Sequence, residues 1–258
     1  MSKRRAGLTL AIIGVLLTAE IRPSVARGEE KAAAARIEAM ANLLAKAQSL
    51  GVAVDCTYDV VQGSGQKIEF GERRKLTLRR PDRARIEVTR RDGSRRGILF
   101  DGAQLTAFDL DEKVYATVQK PGTVDAALAY YTHDLRMRLP LRELFAADLP
   151  QELKNVLGSA RLVGKETIGG VATDHVALRG DTADVQLWIA RDGDPLPQRI
   201  VITYRLAAGQ PQFAAEFHEW TFNPDVPDSA FTFAPEAGAQ RIPILTPGRG
   251  REAGEGQP

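Results

Sequence analysis

The chain has 258 residues, 43% of them hydrophobic and 26% charged, with 35 basic and 33 acidic side chains. These proportions are ordinary for a globular protein and exclude wholesale disorder, a collagen-like repeat and a polytopic membrane protein. The formal charge of +2 is unevenly placed: residues 1–26 hold Lys3, Arg4, Arg5 and Arg22 against Glu20 alone, so the rest of the chain is near neutral at −1.

Lys3, Arg4 and Arg5 precede an apolar run from Leu8 to Ala19, and Ser24-Val25-Ala26 puts small residues at the −3 and −1 positions of a cleavage site. That is the three-part layout of a secretory signal, so cleavage is expected after Ala26, with the periplasm as the destination. The apolar run is shorter than the ~20 residues a hydrocarbon span requires. No cysteine follows it closely, so there is no sign of a lipid-modified N-terminus. The expected organisation is a leader at 1–26, one domain at 27–246, and a disordered tail of Gly, Pro and charge at 247–258.

From Glu29 to Leu50 the apolar residues Ile37, Met40, Leu43, Leu44 and Ala47 form a single stripe, which predicts an amphipathic helix ending near Gly51. From Val52 the period changes to two, and turn signals recur at Gly63-Ser64-Gly65, Pro81-Asp82, Asp92-Gly93 and Asp101-Gly102. This predicts six antiparallel strands near 52–62, 66–79, 83–91, 94–100, 104–110 and 113–118. Pro121-Gly122 breaks the pattern, Thr123 to Asp134 reads as a helix, and 139–157 as short helical pieces interrupted by Pro140 and Pro150. Strand periodicity returns near 159–167, 171–179, 184–190, 198–206 and 212–222.

The fold class these elements predict is mainly β with added helices (α+β). A single antiparallel sheet of about eleven strands must curl, and if it does not close completely it is an incomplete barrel whose concave face the N-terminal helix and a helical lid at 123–157 are available to cover. A curled sheet under helices can enclose a small-molecule cavity. Alternation places Val54, Cys56 and Tyr58 inward on the first strand, Ile68, Phe70, Leu76 and Leu78 on the second, and Ile86 and Val88 on the third. Phe108, Trp188 and Tyr204 on later strands, with Tyr130 and Tyr131 on the lid, complete the inferred apolar lining. Ordinary core packing accounts for the same residues, so the pattern leaves open whether the interior is hollow or filled. Cys56 is the only cysteine, which excludes an intramolecular disulfide; at an apolar position its thiol acts as a small hydrophobe.

Residues 67–96 carry twelve basic and five acidic side chains. The same alternation turns Arg73, Lys75, Arg79, Arg83 and Arg85 outward as a basic surface, suited to an anionic membrane surface or an acidic envelope protein. The plain alternative is a solvated face that discourages strand aggregation. Nucleic acid is not an expected partner, because the exported part is near neutral and the stripe lacks stacking aromatics.

No catalytic or metal constellation is visible. His133, His175 and His218 stand apart on different elements, without a second ligand at metal spacing, and the alternation puts His175 on a solvent-facing side with Ala177 and Arg179. There is no Gly-x-Ser-x-Gly elbow or Ser-x-x-Lys pair; Ser64 belongs to a turn, and Asp109-Leu110-Asp111-Glu112 lacks calcium-loop spacing. A non-enzymatic protein without cofactor or metal is expected.

Several stretches carry a family resemblance: Val54 to Gln62, Gly65 to Gly71, Leu78-Arg79-Arg80-Pro81-Asp82, Phe100-Asp101-Gly102, Pro121-Gly122-Thr123 and Leu139-Pro140-Leu141. Others are Gln186-Leu187-Trp188-Ile189, Pro195-Leu196-Pro197 with Ile200 to Tyr204, and Phe231-x-Phe233-x-Pro235. Together they resemble the bacterial predicted periplasmic proteins of the domain of unknown function 2092 family. That family is similar in expected fold to the lipoprotein-localisation factors LolA and LolB, whose incomplete barrel with a helical lid holds lipoprotein acyl chains. The resemblance implies a carrier or sensor of a lipid, acyl chain or other apolar ligand. The alternative is an envelope interaction or signalling module that binds its partner through the basic strand face and has a side-chain-filled interior. No LolA functional motif maps onto numbered positions here, and fold alone does not establish function.

Overall fold

The computed structural model describes residues 23–244. The leader's apolar run and the tail at 247–258 lie outside the described residues. Helix α1 (Pro23–Lys46) passes through the expected cleavage point and is followed by β1 (Ser49–Val61), β2 (Lys67–Arg79), β3 (Arg83–Arg90), β4 (Arg95–Phe100), β5 (Gln104–Asp109) and β6 (Val114–Gln119). A helical segment comes next: α2 (Val124–Ala129), a π turn over Tyr130–Asp134, α3 (Leu149–Glu152) and several single 3₁₀ turns. The chain then forms β7 (Arg161–Ile168), β8 (Val171–Arg179), β9 (Ala183–Ala190), β10 (Pro197–Tyr204), β11 (Gln212–Phe222) and the two-residue β12 (Gln240–Arg241).

All twelve strands form one sheet in the order β12-β6-β5-β4-β3-β2-β1-β11-β10-β9-β8-β7. It consists of two antiparallel meanders, β1 to β6 and β7 to β11, joined where β1 pairs with β11. The short β12 adds parallel to β6 and was not expected from the sequence. Within this order β6 and β7 lie on opposite flanks of the sheet, so the sheet is open and the segment between them must cross its whole width. Topology therefore makes 120–160 a cover over one face.

That face is the concave one, and its residues alternate as the sequence reading expected. Leu50, Val52, Val54 and Cys56 of β1 pack with Leu76 and Leu78 of β2 and with their neighbours across the sheet. Ala33, Ile37, Met40 and Leu44 of α1 lie against part of the same core, and Leu128, Leu141, Leu144 and Phe145 of the crossing segment against the rest. Helix α1 ends at Lys46, earlier than the predicted Gly51. The carbonyls of Ala47 and Gln48 are taken by the Arg80 side chain and backbone, and the Asn223 side chain accepts from the amides of Gln48 and Ser49. Leu50 is then free to pair with Leu78 and Phe222 as strand. On the far side of α1, Arg36 bonds Asp174 at 3.0 Å and the carbonyls of Ala190 and Arg191, fastening the helix to β8 and β9.

The convex face has a cover of its own. After β11 the chain runs across β2 and β3, where Arg79 donates to the Val226 carbonyl and Arg85 to that of Ala230. It reaches β5 and β6, where Phe233 packs on Phe108 and Tyr115 with ring centroids 5.3 and 5.1 Å away. Gly97 makes room for Phe108, because a Cβ there would stand 2.5 Å from the ring. The convex side thus holds a second, smaller apolar layer that includes Leu99, Phe108 and Phe231.

Candidate functional site

The concave face beneath the crossing segment is the candidate site. Val54, Leu76, Leu78 and Ile86 of the sheet face Leu128, Leu139, Leu141 and Phe145 of the segment around a small, partly open space of about 40 Å³. Ligand pockets are commonly ~300–1,000 Å³, so this interior is closed down by the segment's own side chains. Two guanidinium groups hold the segment in place. Arg74 donates to the Pro140 carbonyl at 3.1 Å; Arg80 donates to the Phe145 carbonyl at 2.8 Å and stands 3.8 Å from Asp125. Burial lowers the pKa of Arg80, and the Asp125 carboxylate raises it in part. Thr123 caps α2 by accepting from the Ala126 amide, and Asp125 accepts from the Ala147 amide, which ties the segment to itself.

The residues expected to line a cavity divide into three groups. Val54, Cys56, Leu76, Leu78, Ile86, Val88 and Tyr131 are buried in the concave core, with Tyr130 packed at its edge. Tyr58 and Phe70 lie on the same face nearer its open end, stacked 5.9 Å apart, and beyond them Ile68 and Val60 are exposed. Tyr204 is partly exposed at the end of β10, where burial pushes its phenol pKa up and Glu143 pushes it further, against Arg138 and Arg74.

Phe108 and Trp188 are corrections. Both sit on the convex side, Phe108 under Phe233 and Trp188 against His175. Alternation places Leu187 and Ile189, not Trp188, in the concave core. Trp188 donates to Glu166 at 3.0 Å, and Glu166 also meets His175 Nδ1 at 2.8 Å. His175 is therefore on the expected side of its strand, yet it is buried rather than solvent-facing. Aromatic size and strand position do not reveal which face is lined when both faces are covered.

The basic strand residues also lie on the convex side, and most are engaged. Arg79 pairs with Asp228, Arg83 with Asp82 at 2.9 Å, and Arg85 with Glu87 at 2.7 Å, while Arg73 lies 3.3 Å from Glu219. Lys75 is exposed. A shallow groove of about 450 Å³ on this side is lined by Arg73, Arg91 and Arg199 together with Asp55 and Glu216. Arg91 pairs with Glu69 and Arg199 with Glu216, so opposite charges alternate across the groove.

The concave residues that the sequence reading passed over are Glu72, Arg74 and Arg96. The alternation through Ile68, Phe70, Leu76 and Leu78 already places 72 and 74 inward; their charge disguised them, because charged side chains are normally outside. Cys56, across β1 from Glu72, has its thiol pKa pushed up to about 12 by burial, and Arg74 opposes the shift. That thiol is unreactive at neutral pH. Among the described residues, no three His, Cys, Asp or Glu side chains gather as a metal site.

None of the curated proteins matches the chain. Among solved structures it is similar to LprF from Mycobacterium bovis, at 15% identity and TM-score 0.48 over 76% of this chain and 95% of that one. It is similar to the lipoprotein LppX of Mycobacterium tuberculosis, at 18% identity and TM-score 0.46 over 75% and 97%. It is also similar to the LolA superfamily protein NE2245 of Nitrosomonas europaea, at 16% identity and TM-score 0.39 over 78% and 97%. At the level of sequence, the family model described as a predicted periplasmic protein of domain of unknown function 2092 matches residues 33–245, which include every strand of the sheet and most of α1. The chain belongs to the DUF2092 family of predicted periplasmic proteins.

Proposed function

We propose that this protein is a non-enzymatic periplasmic carrier or sensor that holds an apolar ligand, an acyl chain or a lipid, against the concave face of the sheet, after export on a leader cleaved following Ala26. One observation carries the reading. The concave apolar face is roofed by a run of short, irregular helical turns crossing between opposite sides of the sheet, and few polar contacts hold that roof down. Such a cover can lift without breaking any strand pairing.

In this reading the lid's leucines occupy the place of the ligand, and binding is an exchange. Burying ~400 Å² of acyl chain at ~25 cal/mol per Å² contributes about 10 kcal/mol, offset by the lid side chains that the ligand displaces and by the ordering cost of association. Affinity follows the difference, so moderate binding with reversible release is expected. The alternative, an interaction module with a filled interior, is favoured by the small size of that space. The face it would use, however, is largely neutralised by Asp228, Asp82 and Glu87.

Native mass spectrometry of the chain purified from the periplasm without detergent, followed by organic extraction, tests the reading. A stoichiometric apolar adduct is expected. A clean unliganded mass that persists after incubation with lipid vesicles would overturn it in favour of the filled module.

A further inference from the structure

Apart from Asp174, which Arg36 of α1 meets at the far flank, the charges of the concave face gather in one row. In the register Val54, Arg74, Val88, Arg96 across β1 to β4, two guanidinium groups enter the face, and Glu72 lies two residues before Arg74 on β2. The Glu72 side chain is 2% exposed, and its carboxylate accepts from Arg74 Nε at 2.7 Å and from Arg96 Nη2 at 3.3 Å. Arg74 and Arg96 share this anion; Arg90 stands opposite Glu72 on β3, and Asp109, opposite Arg96 on β5, spends its carboxylate on the amides of Asp111 and Glu112, so the row of three cations and two anions carries a net positive charge.

Packing does not account for it. A buried ionic group is commonly no more stabilising than apolar side chains of similar size, and Arg74 is flanked by Val54 and Val88 on the neighbouring strands. Its donors are also incompletely committed to the sheet. Arg74, 11% exposed, sends Nη1 to a lid atom, the Pro140 carbonyl, while Arg96 is 41% exposed and reaches solvent. When an apolar chain takes the lid's place over Val54, Leu76 and Phe213, Arg74 loses that acceptor while staying out of water, and a buried donor left without a partner is costly. An anionic oxygen is the partner that guanidinium groups bind most strongly.

The position of the row matters as much as its charge. On one side of it lies the zone roofed by the lid, with Leu76, Leu78 and Ile86; on the other lie Phe70 and the exposed Ile68. A chain lying under the lid would bring its end to the row.

We propose that Arg74 and Arg96, with Glu72 as their resident counter-ion, form the head-group end of the ligand site, and that the ligand is an amphiphile bearing one anionic oxygen group, a carboxylate or a phosphate. This rests on the carrier reading above and names its ligand class.

Three probes with the same saturated chain separate the possibilities: palmitate, hexadecyl phosphate and hexadecanol, titrated by calorimetry into the delipidated full chain. At least one of the two anions binds about tenfold or more tightly than hexadecanol, and the tighter anion identifies carboxylate or phosphate as the head group. Arg96→Gln leaves the Glu72 to Arg74 pair in place, so it folds; it lowers anion affinity to the hexadecanol level and leaves hexadecanol unchanged. Glu72→Gln removes the competing carboxylate and tightens the anions. Equal binding of all three probes, or an anion preference that survives Arg96→Gln, overturns the head-group assignment while leaving the carrier reading intact. No binding of any probe overturns the carrier reading and this proposal with it.

Discussion

The imidazole of His175 lies on the indole of Trp188 with ring centroids 4.1 Å apart and 12° between the planes, and the Glu166 carboxylate bonds both rings. This stack spans β7, β8 and β9 on the convex side, and Arg199 of β10 sits 5.6 Å from the Trp188 ring on the same side. It fastens the flank of the sheet rather than lining the concave site. Trp188→Ala is expected to cost about 3–5 kcal/mol, as aromatic truncations in packed sites do, while ligand stoichiometry stays unchanged. Urea denaturation followed by circular dichroism, alongside the native mass, checks both halves; loss of ligand in a still-folded variant would contradict the placement.

Arg80 joins three elements that no strand pairing connects. Its guanidinium meets the Ala47 carbonyl after α1, the Phe145 carbonyl of the lid, and Asp125. Arg80→Gln leaves buried carbonyls short of donors and is expected to destabilise the fold by about 2–4 kcal/mol. It should also loosen the lid, so uptake and release of a fluorescent acyl probe in stopped flow accelerate several-fold. Unchanged rates in the folded variant would show that Arg80 does not restrain lid movement.

Cys56 carries a pH prediction. Burial raises its thiol from 9.0 to about 12 in the folded state. The contribution of this group is fully present below about 9 and is lost as pH rises towards 12, because the unfolded chain releases the proton first. Cys56→Ala should therefore flatten part of the alkaline fall in stability. In the native chain at neutral pH, iodoacetamide should leave Cys56 unmodified, and addition of denaturant should give a single alkylation by mass.

The C-terminal crossing of the convex face depends on Phe231, which is 1% exposed and lies 5.3 Å from the Arg79 guanidinium. Phe231→Ala is expected to cost about 3–5 kcal/mol, measured by chemical denaturation. The exposed Asp228 carboxyl is held below its ordinary pKa by the hydrogen bond from Arg79 and by that charge. Its contribution is present above the ordinary carboxylate range and fades as pH falls through the lowered value. Asp228→Asn should remove that acid dependence; an unaltered acid transition would show that the contact contributes nothing to stability.

The alternation of apolar residues by itself determined the strands from β1 to β11 and the helical character of α1 and of the crossing segment, because period two and period 3.6 are local properties of a chain. It also placed Val54, Cys56, Leu76, Leu78, Ile86 and Val88 on one face, since β-strand geometry sends alternate side chains to the same side. Only the tertiary structure decided what covers each face. The size of Phe108 and Trp188 implies burial, and they are buried, but against Phe233 and His175 on the convex side rather than in the concave lining. The converse holds for Glu72 and Arg74: their charge implies exposure, whereas the register buries them and lets each neutralise part of the other's field. Local periodicity states which residues share a side; only the path of the rest of the chain states whether that side meets water, a lid or another segment.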